Sequence, residues 1–156
     1  MAQAQVSRLL PWALAAWIAY VFVWYLQYKF TGQAGSVWLF TVLTDWLGFA
    51  GHEKAMRIGT GTAELVAAIL CLLPATRALG AAMTVAIMAG AILLHLVTPL
   101  GIDPYKDGAV LFKEACATLL AGATLLWLSR DQAVAFIRRL PVIGRFCPPE
   151  FAPRLR

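Results

Sequence analysis

Charge is scarce in this sequence. Asp, Glu, Lys and Arg make up 13% of its 156 residues, against about 25% in an ordinary soluble domain. Hydrophobic residues reach 61%. A water-soluble domain of this size has too little interior to hide that much apolar surface, whereas a chain surrounded by lipid has no need to. The alternative, a very apolar soluble helical bundle, is the weaker reading.

Cysteine is also sparse, and its spacing is uninformative. Cys71, Cys116 and Cys147 lie far apart, with no C-x-x-C, no metal-ligand spacing and no disulfide framework. Placed along their helices at 1.5 Å per residue, Cys71 falls roughly 20 Å and Cys116 about 10 Å from the same end of the bundle. That difference exceeds disulfide reach, since bridged Cα atoms lie within about 7 Å. Cys147, beside Pro148 and Pro149, is a candidate lipid-anchor or redox position, with a bystander role favoured. Nucleotide and flavin motifs, haem-ligand pairs at matched depth, metal-ligand sets, repeats and low-complexity segments are all missing.

What the sequence does have is long apolar runs. Crossing a hydrocarbon core takes about 20 mainly apolar residues as a helix. Four runs qualify or come close, at about 9–28, 58–75, 78–98 and 109–128. Pro11 falls in the expected first turn of the first, where proline is tolerated. That run is too long for a signal-peptide core and lacks a small-residue cleavage site, so it is expected to remain as a span. A few residues around Pro74 join the second and third runs into an antiparallel hairpin. Small residues such as Gly61, Ala67, Gly80 and Thr84 suit close helix packing in lipid.

The expected fold is therefore all-α: a transmembrane four-helix bundle in residues 1–128, with an additional amphipathic helix between the first and second spans. That helix, at about 36–50, is apolar but too short to cross, and Thr41, Thr44, Asp45 and Gly48 form a polar or small stripe along it. It is expected at the interface or in the bundle mouth. Residues 129–156 form a basic amphipathic tail, expected on the cytoplasmic leaflet with Arg138, Arg139 and Arg145 touching lipid. The net charge of +5 is concentrated here, and no nucleic-acid-binding motif accompanies it. Eight basic residues flank the terminal end of the bundle and four the other. By the positive-inside rule both termini are cytoplasmic.

Ionisable residues inside spans are costly and face a bundle interior or water. Glu64, His95, Lys113 and Glu114 are such residues, and all lie about 5–9 Å from the end of the bundle opposite the termini. Lys29 closes the first span at that end, and Asp45 is nearby. These six are the candidate pocket residues, with the 36–50 helix as a roof. Bland readings stand beside this one. Glu64 can pair with Lys113 or accept from Thr60, and His95 can be a satisfied histidine. Lys113 and Glu114, about 100° apart on one helix, cannot share a partner. Lys113 can snorkel to water, so Glu114 is the harder to explain without a role. Trp12, Trp24, Tyr25, Tyr28, Tyr105 and Trp127 read as interfacial belts rather than ligand contacts.

Several short motifs occur in a telling order. Tyr28-Lys29-Phe30-Thr31-Gly32 closes the first span, Gly61-Thr62-Ala63-Glu64-Leu65 opens the second, and Leu73-Pro74-Ala75-Thr76-Arg77 with Gly80 makes the hairpin. His95 ends the third span, and Tyr105-Lys106-Asp107-Gly108 precedes the fourth. Over residues 9–128 the chain resembles the DoxX-like family of small four-helix membrane proteins. The resemblance implies a bacterial inner-membrane component of a redox system, with Lys29, Glu64 and His95 as the positions to watch. A quinone is the possible cofactor it suggests, and a redox subunit the partner. Most members have no established activity, and the paired cysteines of a thiol-redox role are missing here. Two further functions remain open: a non-catalytic accessory or scaffold subunit, and an intramembrane acid/base isomerase of a lipophile using Glu64 and Glu114.

Overall fold

Each long apolar run forms one helix. The computed structural model describes residues 2–132, with side chains described from residue 9. Arg138, Arg139, Arg145 and Cys147, and with them the tail expectation, lie outside the described residues. In chain order the helices are α1 (Ala2–Thr31), α2 (Ala34–Trp46), α3 (Glu53–Leu72), α4 (Arg77–Val97) and α5 (Val110–Leu128), and there is no strand among the described residues. Within α1, residues Leu9–Thr31, together with α3, α4 and α5, are long and apolar enough to cross a bilayer.

Several boundaries differ from the sequence expectation for local reasons. Helix α1 starts well before residue 9, so Pro11 lies inside it. The chain accepts the loss of one backbone hydrogen bond there. At its other end, Gly32 at φ +68 lets the Gln33 N–H return to the Tyr28 carbonyl at 3.2 Å, a left-handed stop that glycine makes without a Cβ penalty. Gly48 at φ +80 ends α2 the same way, with the Phe49 N–H on the Thr44 carbonyl at 2.7 Å. The expected segment to residue 50 therefore stops at Trp46. Helix α3 starts at Glu53 rather than 58. The Arg57 guanidinium explains this, pairing with Glu53 at 3.0 Å and donating to the Lys29 carbonyl.

The four long helices form a ring in which α1 packs on α3 and α5, and α4 packs on both α3 and α5. The ring interior is made of small residues: Ala15, Ala67, Ala68, Cys71, Ala81 and Ala115 surround Ile18, Phe22 and Leu125. The exterior carries large apolar side chains, with Tyr20, Leu96 and Leu120 about 60% exposed or more. Such a bundle presents its bulkiest apolar groups outward, the arrangement that lipid solvates.

The α3–α4 hairpin is the tightest seam. A Cβ on Gly80 would lie 2.5 Å from the Cys71 backbone nitrogen, so only glycine allows this approach. Thr76 Oγ1 donates to the Leu70 carbonyl at 3.1 Å and Arg77 Nε to the Cys71 carbonyl at 3.1 Å. Both satisfy carbonyls left open at the end of α3. The Arg77 guanidinium also lies 4.4 Å from the Trp12 ring centroid.

Helix α2 buries Ser36, Leu39, Phe40, Leu43 and Thr44. That spacing of three and four residues is one helix face, and it packs with Leu100, Met56, Leu94 and Leu111 over the end of the ring opposite the N-terminus. The expected polar stripe is split. Thr44 turns inward, its hydroxyl returned to the Phe40 carbonyl at 2.9 Å, while Asp45 is exposed.

Candidate functional site

Under α2 the ring does not close. A cavity of about 580 Å³ remains between α1, α3, α4 and α5, with α2 and the 98–109 connection across its end. Its walls include Phe22, Leu39, Phe40, Ile87 and Leu94. Four of the six residues expected from sequence line it: Lys29, Glu64, His95 and Glu114. Asp45 and Lys113 are exposed and do not line it.

Helix α1 supplies half of two polar pairs. Its Lys29 Nζ lies 2.5 Å from Glu64 Oε2, and the two side chains are 13% and 6% exposed. Gly61, one turn before Glu64, admits this approach; a Cβ there would meet Phe30 at 3.0 Å and the Lys29 Cβ at 3.5 Å. The partner of Glu64 is thus Lys29, not Lys113. One turn before Lys29, the Tyr25 hydroxyl donates to Glu114 Oε2 at 2.5 Å. Tyr25 and Lys29 stand four residues apart on one face, with Lys29 Nζ 5.8 Å from the Tyr25 ring centroid.

His95 arrives from α4. Its Nδ1 lies 2.6 Å from the Gly101 carbonyl, and its ring stands edge-on to Phe112 at 5.8 Å. A carbonyl only accepts, so Nδ1 carries a hydrogen and, in the neutral ring, Nε2 carries the lone pair.

The 98–109 connection is held by carboxylate caps. Asp103 accepts from the N–H groups of Asp107 at 3.0 Å and Gly108 at 3.3 Å, and Asp107 accepts from the Val110 N–H at 3.1 Å. These bonds hold two non-glycine residues, Lys106 and Ala109, at positive φ. Desolvation pushes the Asp103 carboxyl up, but the N–H groups of Ala109, Asp107 and Gly108 together bring it below the usual carboxylate range. Tyr105 donates to the Gly35 carbonyl at 3.0 Å, tying this connection to α2. Burial, reinforced by the charge of Asp107, raises the Tyr105 hydroxyl above its ordinary value.

Sequence reasoning placed Trp24, Tyr25, Tyr28 and Tyr105 in interfacial belts, yet all four line the cavity, as does Asp107. The signal that could have found Tyr25 was its spacing of four from Lys29. The cavity can hold a mostly apolar molecule and meet its polar end with an ammonium, carboxylates, an imidazole and phenols. No cluster of three or more metal-ligating side chains exists among the described residues. Cys71 is buried beside Thr84, its Sγ 3.7 Å from the Thr84 hydroxyl, and does not line the cavity.

The sequence matches no family model. It is 28% identical over 106 residues to the Bacillus subtilis (strain 168) protein YwoB, described as uncharacterized, covering 68% of this chain and 61% of that protein. The chain thus spans about three-fifths of that relative's length. No solved structure matches.

Proposed function

We propose that this chain is a DoxX-like integral membrane protein that binds a quinone or another small lipophile in the cavity beneath α2, as the membrane component of a redox system. The observation that carries this reading is the cavity itself. Its volume of about 580 Å³ lies within the range of about 300–1,000 Å³ usual for small-molecule sites, and such sites combine apolar walls with a few convergent polar groups. The Lys29–Glu64 and Tyr25–Glu114 pairs and His95 are those groups. Intramembrane ionisable residues of this kind mark ligand or proton pathways.

Bilayer insertion is supported by the four long apolar helices and the large apolar side chains on the bundle exterior. The excess of basic residues at the terminal end argues for cytoplasmic termini in a bacterial inner membrane, which puts the cavity in the outer half. The exposed aromatic side chains of Trp38, Trp46 and Phe49 on and just after α2 suit an interfacial position.

The test uses the full chain purified in lipid nanodiscs. Organic extracts are compared with those of empty nanodiscs by mass spectrometry, and quinone binding is measured for the wild type, Glu64→Gln and His95→Ala. A lipophile enriched with the wild type and depleted in both variants supports the site. Unchanged binding in both variants refutes it. An accessory or scaffold role is the second reading, favoured by Arg57, which joins α3 to the Lys29 carbonyl of α1. In that case the same variants lower thermal stability and no ligand is found.

A further inference from the structure

The ring around the cavity is fastened unevenly. Lys29–Glu64 joins α1 to α3, Tyr25–Glu114 joins α1 to α5, and the His95 ring stands against Phe112 between α4 and α5. The bonds that join α3 to α4 lie elsewhere. Cys71 with Thr84, and Arg77 with the Cys71 carbonyl, hold that seam near the hairpin. Farther from the hairpin, the seam is bordered by Thr60 and Ala63 of α3 and by Ala86 and Gly90 of α4. Counted from Leu72 and Arg77, Ala63 and Ala86 share one level about 14 Å along their helices, and Thr60 and Gly90 the next, about 18–20 Å along. All four line the cavity, yet Ala86 and Gly90 are also exposed on the bundle exterior, and Thr60 and Ala63 are half-buried. A Cβ on Gly90 would meet nothing within 4 Å. The cavity wall is therefore open at this seam. In a bilayer both levels fall within a hydrocarbon core about 30 Å thick.

We infer that the gap between α3 and α4 opens the cavity sideways to the bilayer, and that the ligand is a head-and-tail lipid. Its polar head lies in the cavity, and its hydrocarbon tail runs out past Gly90 among the lipid chains. This rests on the reading of the cavity as a lipophile site. Helices α1 and α4 stand at opposite corners of the ring, each packed on α3 and α5. Lys29 and Tyr25, which organise the two polar pairs, both belong to α1. The groups that hold a head and the gap that passes a tail are thus on opposite sides. The α1–α5 side of the cavity is filled by Trp24, Tyr25 and Tyr28, whereas the α3–α4 side is bordered by small side chains. A tail left outside the protein loses nothing, because lipid is as apolar as a leucine-lined interior. A ligand entering by this route also never carries its tail through water, a transfer that the hydrophobic effect opposes.

Two probes with one naphthoquinone head separate the possibilities: menadione, which has no tail, and phylloquinone, which has a long one. Nanodiscs holding the full chain are equilibrated with probe-loaded vesicles, recovered through the scaffold protein's tag, and extracted for mass spectrometry. Uptake above that of empty nanodiscs is the signal, and because every variant sits in the same lipid, partitioning cancels between them. Gly90→Trp puts a bulky side chain in the gap and should cut phylloquinone uptake about tenfold, the penalty of overpacking, while menadione uptake stays within about twofold of wild type. Leu93→Trp is the control, since Leu93 is exposed on the same helix and does not line the cavity; it should change neither. Phylloquinone uptake that survives Gly90→Trp, or falls equally in Leu93→Trp, overturns this inference and leaves the lipophile site standing. So does a Gly90→Trp variant that loses both probes alike, or a wild type that takes up menadione and not phylloquinone. Neither probe binding to the wild type above the blank overturns both readings. If Gly90→Trp does not fold, Ala86→Trp fills the same gap one turn nearer the hairpin and is judged by the same outcomes.

Discussion

Lys29 and Glu64 meet at 2.5 Å across the α1–α3 seam, 35 residues apart in sequence and nearly shielded from solvent. Each brings a charge that the bundle interior would otherwise reject, and each is the reason the other is tolerated. Removing one leaves an uncompensated buried charge, which costs about 3–5 kcal/mol. Glu64→Leu and Lys29→Met should each lower the thermal midpoint in detergent sharply. The double variant should recover most of that loss, since apolar replacement of both partners is often close to neutral. A double variant as unstable as the sum of the singles would show that the two residues do not act as a pair.

Gly80 and Gly90 lie on the same helix and predict opposite responses. A methyl at Gly80 would be 2.5 Å from the Cys71 nitrogen and 2.9 Å from the Ala67 carbonyl oxygen, both rigid backbone. Gly80→Ala should push α3 and α4 apart and cost about 1–3 kcal/mol. A methyl at Gly90 meets nothing within 4 Å. Gly90→Ala should stabilise α4 by about 0.5–1 kcal/mol through reduced backbone entropy. Thermal melts of the two variants side by side check the contrast.

Thr118 and Thr84 are both fully buried, but only Thr84 is satisfied. Its hydroxyl donates to the Gly80 carbonyl at 2.9 Å, whereas Thr118 Oγ1 has no partner among the described residues. Thr118→Val keeps the shape and removes an unpaired polar atom, so it should be neutral or stabilising by up to about 1 kcal/mol. Thr84→Val should destabilise by about 1 kcal/mol. Unfolding midpoints in one detergent give both signs.

Asp103 makes the 98–109 connection sensitive to acid. Its carboxyl is held below the ordinary 3.8 in the folded chain by the backbone N–H groups it accepts. A depressed folded value contributes stability that is present above the unfolded value and lost as pH falls through the folded one. The connection should therefore be indifferent to pH from neutrality down to about pH 5, and loosen only below the usual carboxylate range. Hydrogen exchange at Asp107 and Gly108 should show protection falling in that acid window. In Asp103→Ala the protection should be low at every pH.

The architecture was largely legible from the sequence because helix length and apolar run length are local quantities. The four long helices sit where the runs are, and the short apolar segment between the first two forms its own helix. The boundary errors were local as well. Glycines 32 and 48 stop their helices through positive φ, whereas Glu53, Lys54 and Arg57 read as loop until Arg57 is seen buried and bonded to α1.

The site divided along a different line. Depth along each helix is a sequence property, because every residue rises by the same amount, and Lys29, Glu64, His95 and Glu114 were placed at one end of the bundle on that basis. Which helix faces which, and by what rotation, is set by packing between residues far apart in the chain. Close approach at Gly61 chose Lys29 as the partner of Glu64. Rotation of α5 turned Glu114 toward Tyr25 and left Lys113 exposed. The same rotation logic sent Thr44 inward and Asp45 outward on α2. The sequence by itself determined that an apolar, helical chain carries the ionisable residues within its long helices at the end opposite the termini. Only the tertiary structure decided that four of them surround a cavity, because azimuth, unlike depth, is settled by neighbours.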